Sequence, residues 1–189
     1  MLSQERIMEI FKESGALLEG HFLLTSGKHS ARYIQCAQVL MHPSYTEELA
    51  ADLAGRYKGQ ADVVIGPAMG GIIVAYEMGR ALGVKAIFTE RQQGKMSLRR
   101  SFEINPGQKV LVVEDVITTG GSVQEVIDVV RQAGGEVVGV AVLVDRSGGK
   151  VDFGVPLEAL LKLDIATYES GDCPLCQAGT SPVKPGSRS

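Results

Sequence analysis

The chain has 189 residues, 44% of them hydrophobic and 22% charged, with 23 glycines and a formal net charge of -3 at pH 7. This length and composition suit one globular domain with a continuous core and argue against a disordered chain. The slight negative charge speaks against a nucleic-acid partner, which would need a surplus of Lys and Arg, so any anion site has to be a local patch.

The opening MLSQERIMEIFKE is amphipathic, charged and unlike a signal sequence. Ile7, Ile10 and Phe11 share one face of a helix spanning about Ser3 to Ser14, with Gly15 as its stop. From His21 to Cys36, short apolar runs flank Thr25, Ser26 and Gly27, which predicts two short strands around a turn. Pro43 suits the first turn of a helix running to about Tyr57. From Asp62 onward, short β-branched runs end in glycine or a carboxylate and pass into helical stretches. Strands are expected at Val63–Ile65, Val84–Phe88, Lys109–Val113 and Val137–Val144, with helices from Gly70–Gly71 to about Leu82 and from about Ser122 to Ala133. Continuous apolar strands are buried on both faces, so the expected fold class is α/β with a central, mostly parallel sheet flanked by helices. Between the second and third strands, ERQQGKMSLRRSFEINPG is polar and basic and reads as an excursion from the core. After Asp145 the pattern decays, and the last ten residues are polar and turn-forming, which predicts a mobile tail. No apolar run approaches the roughly 20 residues of a bilayer span. Cys36, Cys173 and Cys176 make no disulfide framework. A cytoplasmic location without a membrane partner is expected.

The most informative stretch is VLVVEDVITTGGS, Val110 to Ser122. A buried strand delivers Glu114 and Asp115 to its carboxyl end. Val116 and Ile117 follow, and Thr118, Thr119, Gly120, Gly121 and Ser122 turn tightly into a helix. Ligands of open α/β sheets bind at such strand ends. Unpaired N–H groups and the helix dipole favour an anion there, and glycines let the backbone approach a phosphate closely. Two carboxylates beside a phosphate are repulsive unless they have another partner, such as ribose hydroxyls or a hydrated magnesium ion. A sugar phosphate supplies both. Composition alone would also allow a plain turn whose acids cap the helix and whose glycines close the bend.

The ordered string weighs against that plain turn. It resembles the motif by which type I phosphoribosyltransferases bind phosphoribosyl pyrophosphate (PRPP), and it is neither a Walker loop nor a dinucleotide fingerprint. An earlier turn, Gly66-Pro67-Ala68-Met69-Gly70-Gly71, is weak evidence by itself; the resemblance implies that it faces the pyrophosphate. FLLTSGKHSARYIQC, Phe22 to Cys36, resembles the hood of orotate phosphoribosyltransferases, with Ser-Gly-x-x-Ser followed by an aromatic residue. Ser26 and Gly27 suit a planar polar base, and Lys28 offers a counter-charge. Arg146, just after the fourth strand, sits where the family has an arginine that recognises orotate, and a guanidinium fork fits that base. Thr118 is a further orotate contact by the same resemblance.

In that family a mobile basic loop reaches across a dimer interface. Arg91 and Lys95 match its Arg-x-x-x-Lys spacing and inherit the PRPP role, with Lys95 and Asp115 as the catalytic pair. Arg99 and Arg100 have no clear assignment. The resemblance implies a single phosphoribosyltransferase domain over residues 1–189, with a hood at about 1–40, a core at about 41–165 and a C-terminal appendage at about 166–189. It further implies Mg2+ held mainly through PRPP, a homodimer, and transfer of phosphoribosyl from PRPP to orotate. The hood and Arg146 speak against a purine substrate.

There are departures from the commoner bacterial pattern. Thr25 and Gly70 stand where many relatives have lysines, Gln92 replaces a basic residue, and Ser97 replaces a histidine. Cys173-Pro174-Leu175-Cys176 could be half of a zinc site or a redox pair. The other candidate ligands, Cys36, His21, His29 and His42, show no partner spacing, and a structural turn with reduced thiols is expected.

Overall fold

A computed structural model describes residues 1–24 and 26–185. Thr25, in the first hairpin, and residues 186–189, the end of the polar tail, lie outside the described residues.

Helix α1 (Gln4–Glu13) begins where the Ser3 side chain accepts from the Arg6 N–H at 3.2 Å, a local cap that satisfies an otherwise unpaired donor. Its expected face, Ile7, Ile10 and Phe11, is fully buried. Strands β1 (Leu17–Leu23) and β2 (His29–Ile34) form the expected hairpin. A short α2 (Cys36–Leu40) leads into α3 (Pro43–Gly55), which has proline in its first turn. Then come β3 (Val63–Pro67), α4 (Gly70–Leu82), β4 (Lys85–Gln92) and β5 (Lys95–Leu98). The second half runs through β6 (Lys109–Ile117), α5 (Gly121–Gln132), β7 (Glu136–Asp145), β8 (Leu157–Lys162) and β9 (Thr167–Tyr168), and ends in a one-turn α6 (Pro174–Gln177).

The large sheet has the order β5-β4-β3-β6-β7-β8. All its pairings are parallel except that of β5 with β4. Neighbouring residues of β6 point to opposite sides: Leu111 and Val113 join the core beneath α1, α3 and α4, while Val110 and Val112 join the core beneath α5. Period-two alternation with both faces apolar is what makes this strand a continuous Val/Leu run. Each such fully buried aliphatic side chain contributes about 1.5–3 kcal/mol.

The small sheet, β1-β2-β9, is antiparallel and separate. Residues 1–40 therefore divide: the β1–β2 hairpin forms the hood, whereas α1 packs into the main core and against β8.

Two expectations change. The basic excursion begins as an ordered edge hairpin. Gln93 and Gly94 both take positive φ, at 50° and 81°, which is the turn that suits a two-residue connection between twisted strands. The tail, expected to be mobile, is docked as far as it is described: the Val183 N–H donates to the His21 carbonyl at 2.8 Å, and the Leu23 N–H donates to the Val183 carbonyl at 2.9 Å. The hood's outer strand has unpaired edge groups, and these hydrogen bonds satisfy some of them.

Candidate active site

The chain passes from β3 through α4 to β4 on one side of β3, and later lays β6 on the other side. Strand order reverses between β3 and β6, and a crevice opens beyond their carboxyl ends. Both glycine-rich turns fall there, and the first packs against the carboxylates of β6. A Cβ on Gly70 would lie 2.5 Å from Asp115 Oδ2, and one on Gly71 would lie 2.7 Å from Pro67 Cδ and 3.2 Å from Glu114 Oε1. Glycine is thus required where the first turn meets the carboxylates. The Ala68–Met69 peptide in that turn is cis.

A small cleft is lined by Glu114 and by Val116, Ile117, Thr118, Thr119, Gly120, Gly121, Ser122 and Val123. Thr118, Thr119, Gly121 and Ser122 are exposed, while Gly120 is buried. Gly120 has a φ of 75°, and a Cβ there would sit 2.8 Å from Val151 Cγ1 and 2.9 Å from Phe153 Cζ. Backbone conformation and space both demand glycine. Helix α5 starts without a side-chain cap and without an acid in its first turn, in contrast to α1 with its Ser3 cap and Glu5. The uncapped N–H groups and the dipole leave the cleft ready for an anion.

Glu114 and Asp115 lie within β6, two residues before its end. Glu114 Oε1 accepts from the Asp115 N–H at 3.1 Å, and Asp115 Oδ1 accepts from the Val116 N–H at 2.8 Å. Burial pushes both carboxyls above the ordinary carboxylate range, and the charge of Asp115 pushes Glu114 further. Neither forms an ion pair among the described residues. One oxygen of each is committed to backbone. The remaining oxygens fit ribose hydroxyls, or the water shell of a Mg2+ carried by a phosphate ligand, better than a cage of protein carboxylates.

Arg146 follows β7, and its N–H donates to the Ile117 carbonyl at 2.9 Å, which fixes it beside the cleft loop. Its guanidinium is half-buried, Nε is buried without a hydrogen-bond partner, and burial lowers its pKa. Such an unpaired donor is costly unless a ligand satisfies it. Tyr33 and Cys36 are its titratable neighbours. Tyr33 is half-buried, and its ring centroid lies 5.9 Å from that of Phe22. It is the site residue that the sequence reading did not name, although the aromatic position of the hood motif points to it. The Cys36 thiol reaches toward the Asp115 carbonyl at 3.8 Å, and burial, then the charges of Asp115 and Glu114, push its pKa well up. A thiol held neutral in this way is a poor nucleophile.

The remaining expected residues do not line this cleft. Arg91 pairs with Glu125 of α5 at 2.7 Å and donates to the Gly94 carbonyl at 3.1 Å. Lys95 is exposed at the hairpin end opposite Gln92 and has no ion pair among the described residues. Arg99 is likewise exposed, whereas Arg100 holds Glu90 through two bonds of 2.9 and 3.0 Å and lies over Phe88, which makes its role structural. Ser26 and Gly27 are exposed at the hood tip, with strand β2 between them and Cys36. Lys28, expected as a counter-charge for the base, instead pairs with Glu169 at 2.9 Å.

No helix of the described residues is long and apolar enough to cross a membrane. Residues 38–153 match the phosphoribosyl transferase domain family. Across 188 residues the chain is 63% identical to the orotate phosphoribosyltransferase of Desulforamulus reducens, covering 99% of this chain and 98% of the relative. It is 62% identical to that of Heliobacterium modesticaldum, covering 99% and 100%. The crystal structure of orotate phosphoribosyltransferase from Aeropyrum pernix superposes with a TM-score of 0.72 at 29% identity, covering 83% of this chain and 93% of that one. Identities of 63% and 62% over 99% of the chain, on a type I phosphoribosyltransferase fold, make this chain a member of the orotate phosphoribosyltransferase family.

Proposed function

We propose that the chain transfers the phosphoribosyl group of PRPP to orotate, giving orotidine 5′-phosphate and pyrophosphate in de novo pyrimidine (UMP) biosynthesis. Family membership supports the reaction class. The observation that carries the choice of base is the buried, unpartnered Nε of Arg146 beside the Ile117–Ser122 loop. A guanidinium lacking a protein acceptor suits the carboxylate or carbonyl edge of orotate.

In this reading the 5-phosphate of PRPP sits on the backbone N–H groups and hydroxyls from Thr118 to Ser122, against the uncapped start of α5. The ribose diol lies along Glu114 and Asp115, whose backbone-anchored oxygens hold their positions. Mg2+, when bound with PRPP, supplies charge neutralisation at the pyrophosphate, and Glu114 and Asp115 are the residues that would face its water shell. A ring nitrogen of orotate attacks the anomeric carbon, the carbon–oxygen bond to pyrophosphate breaks, and that electron pair leaves with the pyrophosphate. Lys95 and Arg91 meet the charge that builds on the leaving group. Thr118 and Arg146 orient orotate, and the ring of Tyr33 offers it an apolar face. Ser26 and Gly27 join as contacts made when the hood tip closes over the base, a role resting on the family pattern. No protein nucleophile enters, in keeping with the protonated, buried Cys36.

The basic hairpin acts in a homodimer, reaching the neighbour's site. Exposed Met69, Ile73 and Tyr76, spaced along one face from the first turn into α4, supply an apolar stripe for such an interface. The unbridged cysteines agree with a cytoplasmic setting. The test is loss of orotate absorbance with PRPP and Mg2+, run beside adenine, hypoxanthine and uracil. Loss that requires PRPP and orotate supports the reading. PRPP binding with no base turned over would redirect it to a PRPP sensor.

A further inference from the structure

Four side chains that the transfer reaction does not use converge outside the cleft. His21 in β1, His29 in β2, and Cys173 and Cys176 around α6 place one ligand atom each within 4.8 Å of one another. His21 Nε2 lies 2.9 Å from His29 Nδ1, 3.5 Å from Cys173 Sγ and 3.8 Å from Cys176 Sγ, and Cys176 Sγ lies 3.3 Å from His29 Nδ1. Zinc bound by sulfur at about 2.3 Å and ring nitrogen at about 2.0–2.1 Å, in a tetrahedron, would separate its ligand atoms by about 3.3–3.8 Å. The pocket is already close to the size of that ion's first shell.

The proton inventory points the same way. His21 Nδ1 lies 3.1 Å from the Thr180 carbonyl and 2.9 Å from Thr180 Oγ1, and that hydroxyl donates its own hydrogen to the Leu175 carbonyl at 2.8 Å. Both Thr180 oxygens are therefore acceptors toward the ring. Nδ1 is thus placed as the donor, which leaves Nε2 to face the cluster as a ligand atom. A zinc-bound histidine is usually held through its other nitrogen by such a carbonyl. His21, His29 and Cys173 are buried and Cys176 is half-buried, so the site is closed to substrate. Two thiolates and two neutral imidazoles around Zn2+ sum to zero charge, which permits burial without a counter-ion.

We propose that His21, His29, Cys173 and Cys176 form a four-coordinate structural zinc site that clamps the C-terminal segment to the hood hairpin. Metal entry displaces the two thiol protons to solvent, with no change of oxidation state. The need for a clamp is plain from the architecture. The small sheet has three strands, one of them only two residues long, so it is little more than a hairpin, and an isolated hairpin is marginally stable at best. Cys36 and His42 are not part of the site: Cys36 lies against the Asp115 carbonyl, and His42 packs on Tyr45 at the start of α3.

The test uses the full chain without a histidine tag. Elemental analysis of purified, reduced protein should find about one zinc per chain. After chelation, one equivalent of Co2+ should produce the visible and charge-transfer bands of tetrahedral thiolate coordination, and Zn2+ should abolish them. Cys176→Ser and His29→Gln should each lose most of the zinc, and Cys36→Ser should keep it. The wild-type cobalt titration stands even if either ligand variant fails to fold. A wild-type chain that retains almost no zinc and gives a thiolate-free cobalt spectrum overturns the proposal, as does a Cys176→Ser chain that binds zinc like wild type. Neither readout depends on phosphoribosyl transfer.

Discussion

The backbone N–H of Arg146 donates to the Ile117 carbonyl at 2.9 Å, so the residue after β7 and the residue before the cleft loop move as one. That bond aims a guanidinium whose Nε has no hydrogen-bond partner among the described residues. Arg146→Met keeps most of the side chain's volume and removes the donors. With about 1.5–3 kcal/mol per hydrogen bond to a charged group, kcat/KM for orotate should fall on the order of a hundredfold or more. The KM for PRPP should stay within a few-fold, and thermal stability should hold or rise, because a buried unpaired donor is gone. Steady-state kinetics with each substrate varied decides this; equal losses for both would sink the orotate assignment.

Glu114 and Asp115 are adjacent in the chain, and burial raises both carboxyls above their ordinary range. A group whose folded pKa is raised favours folding while protonated, and that stabilisation disappears as pH climbs from the usual carboxylate range through the folded pKa. The ligand-free protein should therefore lose stability toward alkaline pH. Glu114→Gln should flatten that loss and, above neutral pH, stabilise the chain by about 1–2 kcal/mol, while lowering turnover. Calorimetric melting across the pH range, with and without PRPP, measures both effects. A wild-type melting curve independent of pH would contradict the raised pair.

A Cβ on Gly70 would lie 2.5 Å from Asp115 Oδ2, and Gly70→Lys tests that packing directly. It should displace the Asp115 carboxylate, destabilise by about 1–3 kcal/mol as overpacking does, and cut turnover at least tenfold. Gly70→Ala should show a milder form of the same. Full activity in Gly70→Lys would mean that the Asp115 carboxylate yields to a side chain at little cost.

Arg91 is occupied by Glu125 within its own chain, in an exposed pair worth about 0–1 kcal/mol. Removing Glu125 as Glu125→Gln should release Arg91 at little cost and leave or lower the KM for PRPP, whereas Arg91→Ala should raise it. Lys95 has no such tie. Lys95→Ala should lower kcat by about 100-fold or more, the scale of losing one charge-stabilising group, with an unchanged melting temperature. Mixing Lys95→Ala with a variant defective at Asp115 should restore part of the activity if the hairpin serves the neighbouring subunit. A Lys95→Ala enzyme with wild-type kcat would remove the loop from the mechanism.

Much of the fold was legible locally. The alternation in Val110–Val113, the proline that opens α3 and the glycine turns after β3 and β6 are short-range signals, and each marks its element within a few residues. Elements set by partners were not legible. Strand β5 exists because β4 offers it an edge, and β8 because β7 does. Val183 is ordered only through the backbone of His21 and Leu23. At the site, the acid pair and the Thr-Thr-Gly-Gly turn could be read in order along the chain. The hood motif marks Tyr33 only as an aromatic position, and its place beside Arg146 comes from packing between distant parts of the chain.

By itself, the sequence determined the α/β class, the glycine-rich turn after β6 and the family, since periodicity, turn chemistry and motif order are carried by residues close together in the chain. Only the tertiary structure decided that Gly70 lies against the Asp115 carboxylate, that Arg91 and Arg100 are held by acids on the same molecule, and that two histidines meet a Cys-x-x-Cys about 150 residues away. Those facts depend on which surfaces come into contact when the core closes. Burial, steric exclusion and ion pairing act across space, and residue spacing along the chain does not record them.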